Sequence, residues 1–425
     1  MKIYIGIDLG TSGCRAVAID ETATIRASAS RSLPKPETPL QNQHQQDPEI
    51  WWQVLCEVLT EIARVCSEES PVAIAVDGTS STLLLADHQG NPLTPALMYN
   101  DNRSHDALPL LEGIAPDGSP VLSPSSSLAK LLHLRRKIAT DRYRALHQAD
   151  WIVGRLCGDY RHSDENNVLK MGYDPISRAW PTWLAELQLP DGALPEVVPS
   201  ASPVGRLCRQ AAEATSLPPG IAIVAGTTDG NAAFLATGAR DIGEAVTSLG
   251  STLVVKILSE EPVFAAEYGV YSHRLGARWL VSGASNSGGA VLASFFSCDE
   301  MARMTRDLQP QRATGLDYYP LLAAGERFPV NDPDYPPRLQ PRPANDRLFF
   351  QGMLEGIANI EAEGYRLLQR LGAARLKHVY SVGGGAKNEP WRQIRQQRLQ
   401  VPVIPAAHHE AAYGTALLAM HGVTE

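Results

Sequence analysis

The sequence predicts a two-domain α/β protein built from two similar halves, and three observations carry that prediction. The chain has 425 residues, more than a single compact core of roughly 100 to 200 residues holds. Apolar runs of strand length, closed by glycine- and hydroxyl-rich turns, alternate with segments of helical periodicity. The opening pattern of strand, turn and strand restarts in the second half as a weak internal repeat.

The elements follow in order. Ile3, Ile5 and Ile7 around Tyr4 read as a buried strand, Ala16-Val17-Ala18-Ile19 as a second, and "TIRASASRSL" as a third. The run Asp8 to Gly13 joins the first two, and Gly10 and Gly13 are able to supply positive φ for a tight hairpin. A helix then begins with Asp47 as N-cap and Pro48 in the first turn, its apolar face formed by Trp51, Leu55, Val58, Leu59, Ile62 and Val65. The Trp51-Trp52 pair reads as core. "PVAIAVDGTSSTLLLAD" is strand, turn and strand again, closed by "HQGN".

From about 120 to 215 the pattern is less regular, with helices expected around 127 to 137 and 142 to 158. "IAIVAGTTDGNAAFLATGA" runs from a strand through a Gly-Thr-Thr-Asp turn into a small-residue helix able to pack closely on a neighbour. "EAVTSLGSTLVVKIL" and "GVYSHRLGARWLVSG" add strands. A loop-rich region, roughly 297 to 345, precedes a long helix over 346 to 371 with Leu348, Met353, Ile357, Ile360 and Leu367 as core candidates. "LKHVYSVGGGAKN" is a strand ending in glycines, and "EAAYGTALLAM" reads as a last amphipathic helix.

Composition narrows the function classes. With 44% hydrophobic and 20% charged residues the chain can bury sizeable cores and is not a disordered one. A net charge of −8 argues against nucleic acid or an anionic membrane as the main partner, so an anionic ligand must be met by amides, a metal and a few cations. Six cysteines, at 14, 56, 66, 157, 208 and 298, lack the spacing of a zinc site or a disulfide framework and suit reduced thiols. No apolar run approaches the roughly 18 residues that cross a bilayer, and Asp8 interrupts the N-terminal apolar stretch, so a cytoplasmic protein is expected.

Four glycine- and hydroxyl-rich turns stand at strand ends: Asp8 to Gly13, Asp77 to Ser80, Gly226 to Gly230 and Gly250 to Thr252. Each alone reads more readily as a structural turn than as a ligand site. Together they suit a polyphosphate gripped by one hairpin from each half, since amides and hydroxyls solvate phosphate oxygens and a carboxylate holds Mg²⁺ through water. Gly383 to Gly385, followed by Asn388, would let a flat adenine ring approach the backbone. Neither GxxxxGK[ST] nor GxGxxG occurs, so the phosphate grip is of another kind.

At these motifs the chain resembles a family. "GIDLGTSGCRA", "QDPEIWW", "AVDGTSSTLLLAD", "AGTTDGNAAF", "TSLGSTL" and "GGGAKN" are similar, in order and across nearly the whole chain, to the motifs of the FGGY carbohydrate kinases of the actin/hexokinase/Hsp70 superfamily. More narrowly, the chain resembles the short D-ribulose kinases of plants and cyanobacteria once called xylulose kinase-like. The resemblance implies two ribonuclease-H-like domains around a central cleft. Residues 1 to 236, joined by the C-terminal helix 410 to 425, would form the sugar and phosphate side, and 237 to 409 the nucleotide side. A hinge would fall near 236 to 242.

The resemblance also implies roles. Asp8 would organise Mg²⁺ near the sugar. Gly10, Thr11 and Ser12 would face the transferring phosphate, and Gly250, Ser251 and Thr252 would form the second phosphate hairpin. Gly384, Gly385 and Asn388 would serve the adenosine, while Ser80 and Asp77 would face the sugar hydroxyls. Asp229 matches the catalytic base. By itself, Asp229 reads more readily as a helix N-cap, and the order of the motifs reverses that preference; Asp77 reads equally as a structural acid.

The implied reaction is ATP-dependent phosphorylation of a ketopentose terminal hydroxyl, D-ribulose first, with D-xylulose, glycerol or a non-metabolic actin-like ATPase as alternatives. Xylulose kinases commonly carry Gln-Met-His-Gly where this chain has Gly78-Thr79-Ser80-Ser81, which favours ribulose. Asp101 and Arg103 in "YNDNR" resemble a substrate-proximal segment and read equally as a solvated pair. His408 and His409 read as surface or packing residues. ATP and Mg²⁺ are the expected cofactors, and the sequence does not decide between monomer and homodimer.

Overall fold

The computed structural model describes residues 1–424, and the chain divides into two compact units: Met1–Ala236 with the segment from Glu410 onward, and Thr237–His409.

The first unit is built on a six-stranded sheet. Its order is Pro203–Arg206, Ala222–Val224, Ser70–Gly78, Lys2–Leu9, Gly13–Asp20, Ile25–Ser32. Lys2–Leu9 is parallel to Ser70–Gly78 and antiparallel to Gly13–Asp20. It is buried on both faces, and the period-two alternation divides its side chains between two layers. Ile3, Ile5, Ile7 and Leu9 pack with Trp51, Leu55, Val58, Leu59 and Ile62 of the helix Pro48–Val65. Tyr4 packs on the other face with Ala412, Ala416 and Ala419 of the closing helix Ala411–Thr424.

Asp47 caps the first helix as expected, accepting from the Glu49 amide at 3.0 Å. Val65, placed on the apolar face by periodicity, is instead exposed in the last turn. Trp51 is core and Trp52 is partly buried. The closing helix is not amphipathic: Ala411 through Ala419 are all buried. It packs so closely that a Cβ on Gly6 would lie 2.1 Å from both Ala412 O and Ala416 N, and one on Gly414 would lie 1.9 Å from Ala232 O of the helix Asp229–Ala236. Glycine is required there for close approach.

The irregular middle segment departs from expectation. Residues 142 to 158 are not one helix: Arg144–His147 is a strand, and the helix starts at Gln148. That strand pairs with Leu83–Ala86 in a separate four-stranded sheet with Gln45–Gln46 and Ala96–Leu97. Ser81, at φ 66°, turns the chain out of the main sheet toward it. The other expected helix is Ser127–Arg135.

The second unit repeats the plan, with sheet order Tyr271–Leu275, Arg278–Ser285, Leu253–Ser259, Glu244–Leu249, His378–Val382, Val403–Pro405. Its long helix is Asp346–Arg370, with Met353, Ile357, Ile360 and Leu367 buried and Leu348 half-buried. The region expected as loop contains the helix Cys298–Arg306, held by a reciprocal capping box between Ser297 and Glu300. A buried ion pair joins this unit's layers: Arg395 donates to both oxygens of Glu361, at 2.6 and 2.7 Å, and to Ser381 Oγ at 2.6 Å. Thr247 Oγ1 donates to Glu361 Oε1 at 2.6 Å. Helices are thereby tied to the two strands that end in glycine turns. No described helix is long and apolar enough to cross a membrane.

Gly6→Ala should lower the first unit's stability by about 1–3 kcal/mol or more through overpacking. Gly113→Ala, whose methyl meets nothing within 4 Å, should not. Urea midpoints of the two variants check this, and equal midpoints would show that the closing helix can back away.

Candidate functional site

Three carboxylates gather at one edge of the first unit's sheet. The parallel strands Lys2–Leu9, Ser70–Gly78 and Ala222–Val224 run toward this edge, and Gly78 bridges to Thr228 beyond the third. Asp8 and Asp77 are register partners, so their side chains leave the same face of adjacent strands about 5 Å apart. Asp229 opens the helix that follows the third strand.

Asp8 and Asp77 are 6% and 0% exposed. Arg15 Nη1 donates to Asp8 Oδ2 at 3.2 Å. The Thr415 hydroxyl donates to Asp77 Oδ2, and the two acids hydrogen-bond each other, side chain to side chain. Burial pushes both acids upward. For Asp8, Arg15 opposes the rise and Glu410 adds to it. For Asp77 burial dominates, the Asp8 charge comes next, and Asp229 raises it further against the Thr415 bond. Two like charges this close do not both ionise readily, and Asp77 is the better proton holder.

The turn after Asp8 is closed by the Gly10 amide, which donates to Gly13 O at 3.0 Å, and by Leu33 N to Ser12 O at 2.9 Å. Neither Gly10 nor Gly13 takes the positive φ expected of it. Gly13 is needed for space, since a Cβ would meet Arg31 O at 2.9 Å. Its closing bond occupies the Gly10 amide, so the remaining donors of this turn are those of Thr11 and Ser12, both at least partly exposed.

The Gly78–Ser81 turn is clamped from two sides. Thr79 N and Oγ1 donate to Gln148 Oε1 at 3.1 and 2.8 Å. Lys130, fully buried, donates to Ser81 O at 2.8 Å and Met98 O at 2.7 Å, and burial brings its amine down to about 7. Ser80 stays half-buried between the clamped residues. Asp101 and Arg103 are not a solvated pair: Asp101 is 0% exposed, the ion pair is 2.8 Å, and Asp101 also accepts the His44 amide at 2.6 Å. They brace the segment that Lys130 reaches.

Gly226 allows the next turn to cross Ser70–Gly78, because a Cβ would lie 1.9 Å from Val76 O. Thr228 O accepts from Asn231 N and Ala232 N at 3.0 and 2.9 Å, so Thr228 takes the helix-capping backbone position. Asp229 lies in the first turn, half-buried, accepting from Gly230 N at 2.6 Å.

In the second unit, Gly250–Thr252 joins the hairpin strands and Gly383–Gly385 follows the parallel neighbour. Gly289 N and Ala290 N occupy the carbonyls of Gly250 and Ser251 at 2.9 and 3.0 Å. Gly383 has φ 84°, and a Cβ on it would meet Leu249 O at 2.7 Å, bringing the two turns together. Gly384 is open, with nothing within 4 Å of an added Cβ, whereas Gly385 faces Trp391. Asn388 is committed to structure: Oδ1 accepts from Trp391 N at 3.0 Å as N-cap, and Nδ2 donates to Thr305 at 3.1 Å. His408 is half-buried and His409 exposed. The described residues contain no group of three His, Cys, Asp or Glu able to hold a metal ion.

Gln148, Lys130 and Thr415 escaped the sequence reading. A lysine inside the apolar "LAKLL" run was the one visible signal.

Asp77 gives a pH prediction. Its folded pKa is raised, so from near pH 4 upward the unfolded chain is ionised while the folded group keeps its proton. Stability is then full at low pH and falls as pH rises through the folded pKa, by up to about 1.4 kcal/mol per pH unit for one proton. Asp77→Asn, still able to accept from Thr415, should flatten this slope and be more stable than wild type at pH 8. Urea titrations at several pH values check it, and identical slopes would refute it.

Residues 3–236 match the N-terminal domain of the FGGY family of carbohydrate kinases, and residues 245–423 match its C-terminal domain. The xylulose kinase of Escherichia coli (strain K12) is 27% identical over 424 residues, covering 92% of this chain and 84% of that protein. A gluconokinase of Bacillus subtilis is 22% identical over 451 residues, covering 98% and 87%. A solved xylulose kinase from Brucella ovis superposes with TM-score 0.87 at 25% identity, covering 99% and 90%. The glycerol kinase of Plasmodium falciparum, solved with ADP, reaches 0.86 at 17% identity over 100% and 90% and shares the fold. The chain belongs to the FGGY family of carbohydrate kinases, with that family's mixed α/β two-domain, actin-like ATPase fold.

Proposed function

We propose that this kinase transfers the γ-phosphoryl group of ATP to the terminal hydroxyl of a ketopentose, D-ribulose before D-xylulose, giving D-ribulose 5-phosphate and ADP in the cytoplasm. The observation that carries the reading is Asp229, half-buried in the first turn of its helix, with its charge felt by the buried Asp77.

Asp229 accepts the hydroxyl proton as the sugar oxygen attacks the γ-phosphorus and the bond to the β–γ bridging oxygen breaks. An ordinary aspartate is a weak base, so the proton moves late and orientation matters more than basicity. Phosphoryl transfer asks mainly for positioning and charge stabilisation. The Thr11 and Ser12 amides and hydroxyls supply donors to the moving phosphoryl oxygens. Gly250, Ser251 and Thr252 hold the nucleotide phosphates, and the open backbone at Gly384 lies along the adenosine. The capping role of Asn388 leaves it shaping that loop.

Mg²⁺ fits the donor set: Asp8, with the second buried acid Asp77 beside it, suits a hydrated divalent cation held through water. When bound, it would neutralise phosphate charge. Asp8 would hold it, with Arg15 fixing that carboxylate.

Ribulose is favoured by the small Gly-Thr-Ser-Ser turn, where Ser80 offers a short hydroxyl. D-xylulose is the second reading, carried by relatives described as xylulose kinases. Family membership disfavours a non-metabolic ATPase. Across a ketose and polyol panel, D-ribulose should give the highest kcat/KM, and a higher value for D-xylulose or glycerol would overturn that choice.

Asp229→Asn should lower kcat by about 10²-fold or more, the scale of a positioned acid–base group. The helix should survive, because Thr228 supplies the capping carbonyl. Steady-state kinetics beside thermal melts test this, and near-wild-type kcat in the folded variant would end the catalytic assignment.

A further inference from the structure

We infer that Gln148 is a further sugar-binding and specificity-determining residue, whose side-chain NH₂ donates to a hydroxyl of the acceptor. The inference rests on the kinase reading above.

Gln148 is 0% exposed, at the start of the helix Gln148–Cys157. Its amide orientation is fixed by chemistry. Thr79 N is a backbone donor, so the Gln148 atom 3.1 Å away must be the oxygen, which also accepts from Thr79 Oγ1 at 2.8 Å. Nε2, with two N–H donors, is buried without a hydrogen-bond partner among the described residues. Leaving such a group unpaired is unfavourable, and a side chain clamped at its oxygen cannot swing away to relieve it.

One more buried polar atom without a partner belongs to the same turn, Ser81 Oγ. Gly78, between Asp77 and Thr79, lets Gln148 come close: a Cβ there would lie 3.3 Å from Gln148 Oε1. One donor-only group and one hydroxyl at a single clamped turn match a vicinal polyol, whose hydroxyls both donate and accept. A phosphate would be repelled by the neighbouring acids. An apolar ligand would leave both unsatisfied.

The test uses the full chain and measures D-ribulose binding by calorimetry, sugar KM, ATP KM and melting temperature for wild type, Gln148→Glu and Gln148→Met. Gln148→Glu keeps an oxygen for Thr79 and removes the NH₂. Gln148→Met keeps the length and removes both functions. Both should raise the sugar Kd and KM by roughly 10-fold or more, with ATP KM unchanged. A series of deoxy-ketopentoses adds a double-mutant cycle: the sugar lacking the partnered hydroxyl should bind wild type as weakly as it binds the variants. Unchanged sugar Kd in either folded variant overturns the inference. Equal losses for every deoxy sugar, with no coupling, also overturn it and mark the amide as purely structural. Wild-type protein that binds no ketose at all would instead sink the ketose-kinase reading, and the inference with it.

Discussion

Two carboxylates buried side by side at the ends of adjacent parallel strands are the constraint around which the first unit is organised. Placing Asp8 and Asp77 there costs free energy twice, through lost hydration and mutual repulsion. The structure offsets it with Arg15 on one acid, the Thr415 hydroxyl on the other, and a proton retained on the pair. These partners come from the neighbouring strand and from the far end of the chain. The closing helix must therefore return to the first sheet and lie almost in contact with its backbone, which is why Gly6 and Gly414 have no room for a side chain.

The second unit shows what the same architecture does without that charge. Counting back from each hairpin turn, Asp8 corresponds to Ser248, and their parallel partners are Asp77 and Val382. The strand ends are then neutral, and backbone amides become the main polar resource of the turns. Buried charge moves inward to Glu361 and Arg395, where bidentate geometry satisfies both partners. One plan thus yields an acid-lined edge in the first unit and an amide-lined edge in the second.

The Gly78–Ser81 turn illustrates how a rigid site is built from support. Thr79 is held by Gln148, and Ser81 by Lys130, which also reaches Met98 beside the Asp101–Arg103 pair. Ser80 is left between two clamped neighbours. A short hydroxyl on a rigid turn discriminates among stereoisomers better than a mobile one, because little motion is available to accommodate a wrong hydroxyl.

Local chemistry determined much of this from the sequence alone. Period-two burial marked the strands, Asp47 and Pro48 marked the first helix, and Asp229 stood out at a strand-to-helix turn. The capping box at Ser297 and Glu300 was legible and overlooked. Tertiary structure decided the remainder. Arg144–His147 is a strand because Leu83–Ala86 pairs with it, and the closing helix is buried all round because sheet and helix cover it from both sides. Thr415 reaches Asp77 across 338 positions, and Gln148 reaches Thr79 across 69. A threonine in a helix and a glutamine at a helix start look ordinary in sequence. Their roles exist only once distant backbone brings a buried acid or amide within hydrogen-bond reach, since a hydrogen bond depends on distance and direction in space and not on separation along the chain.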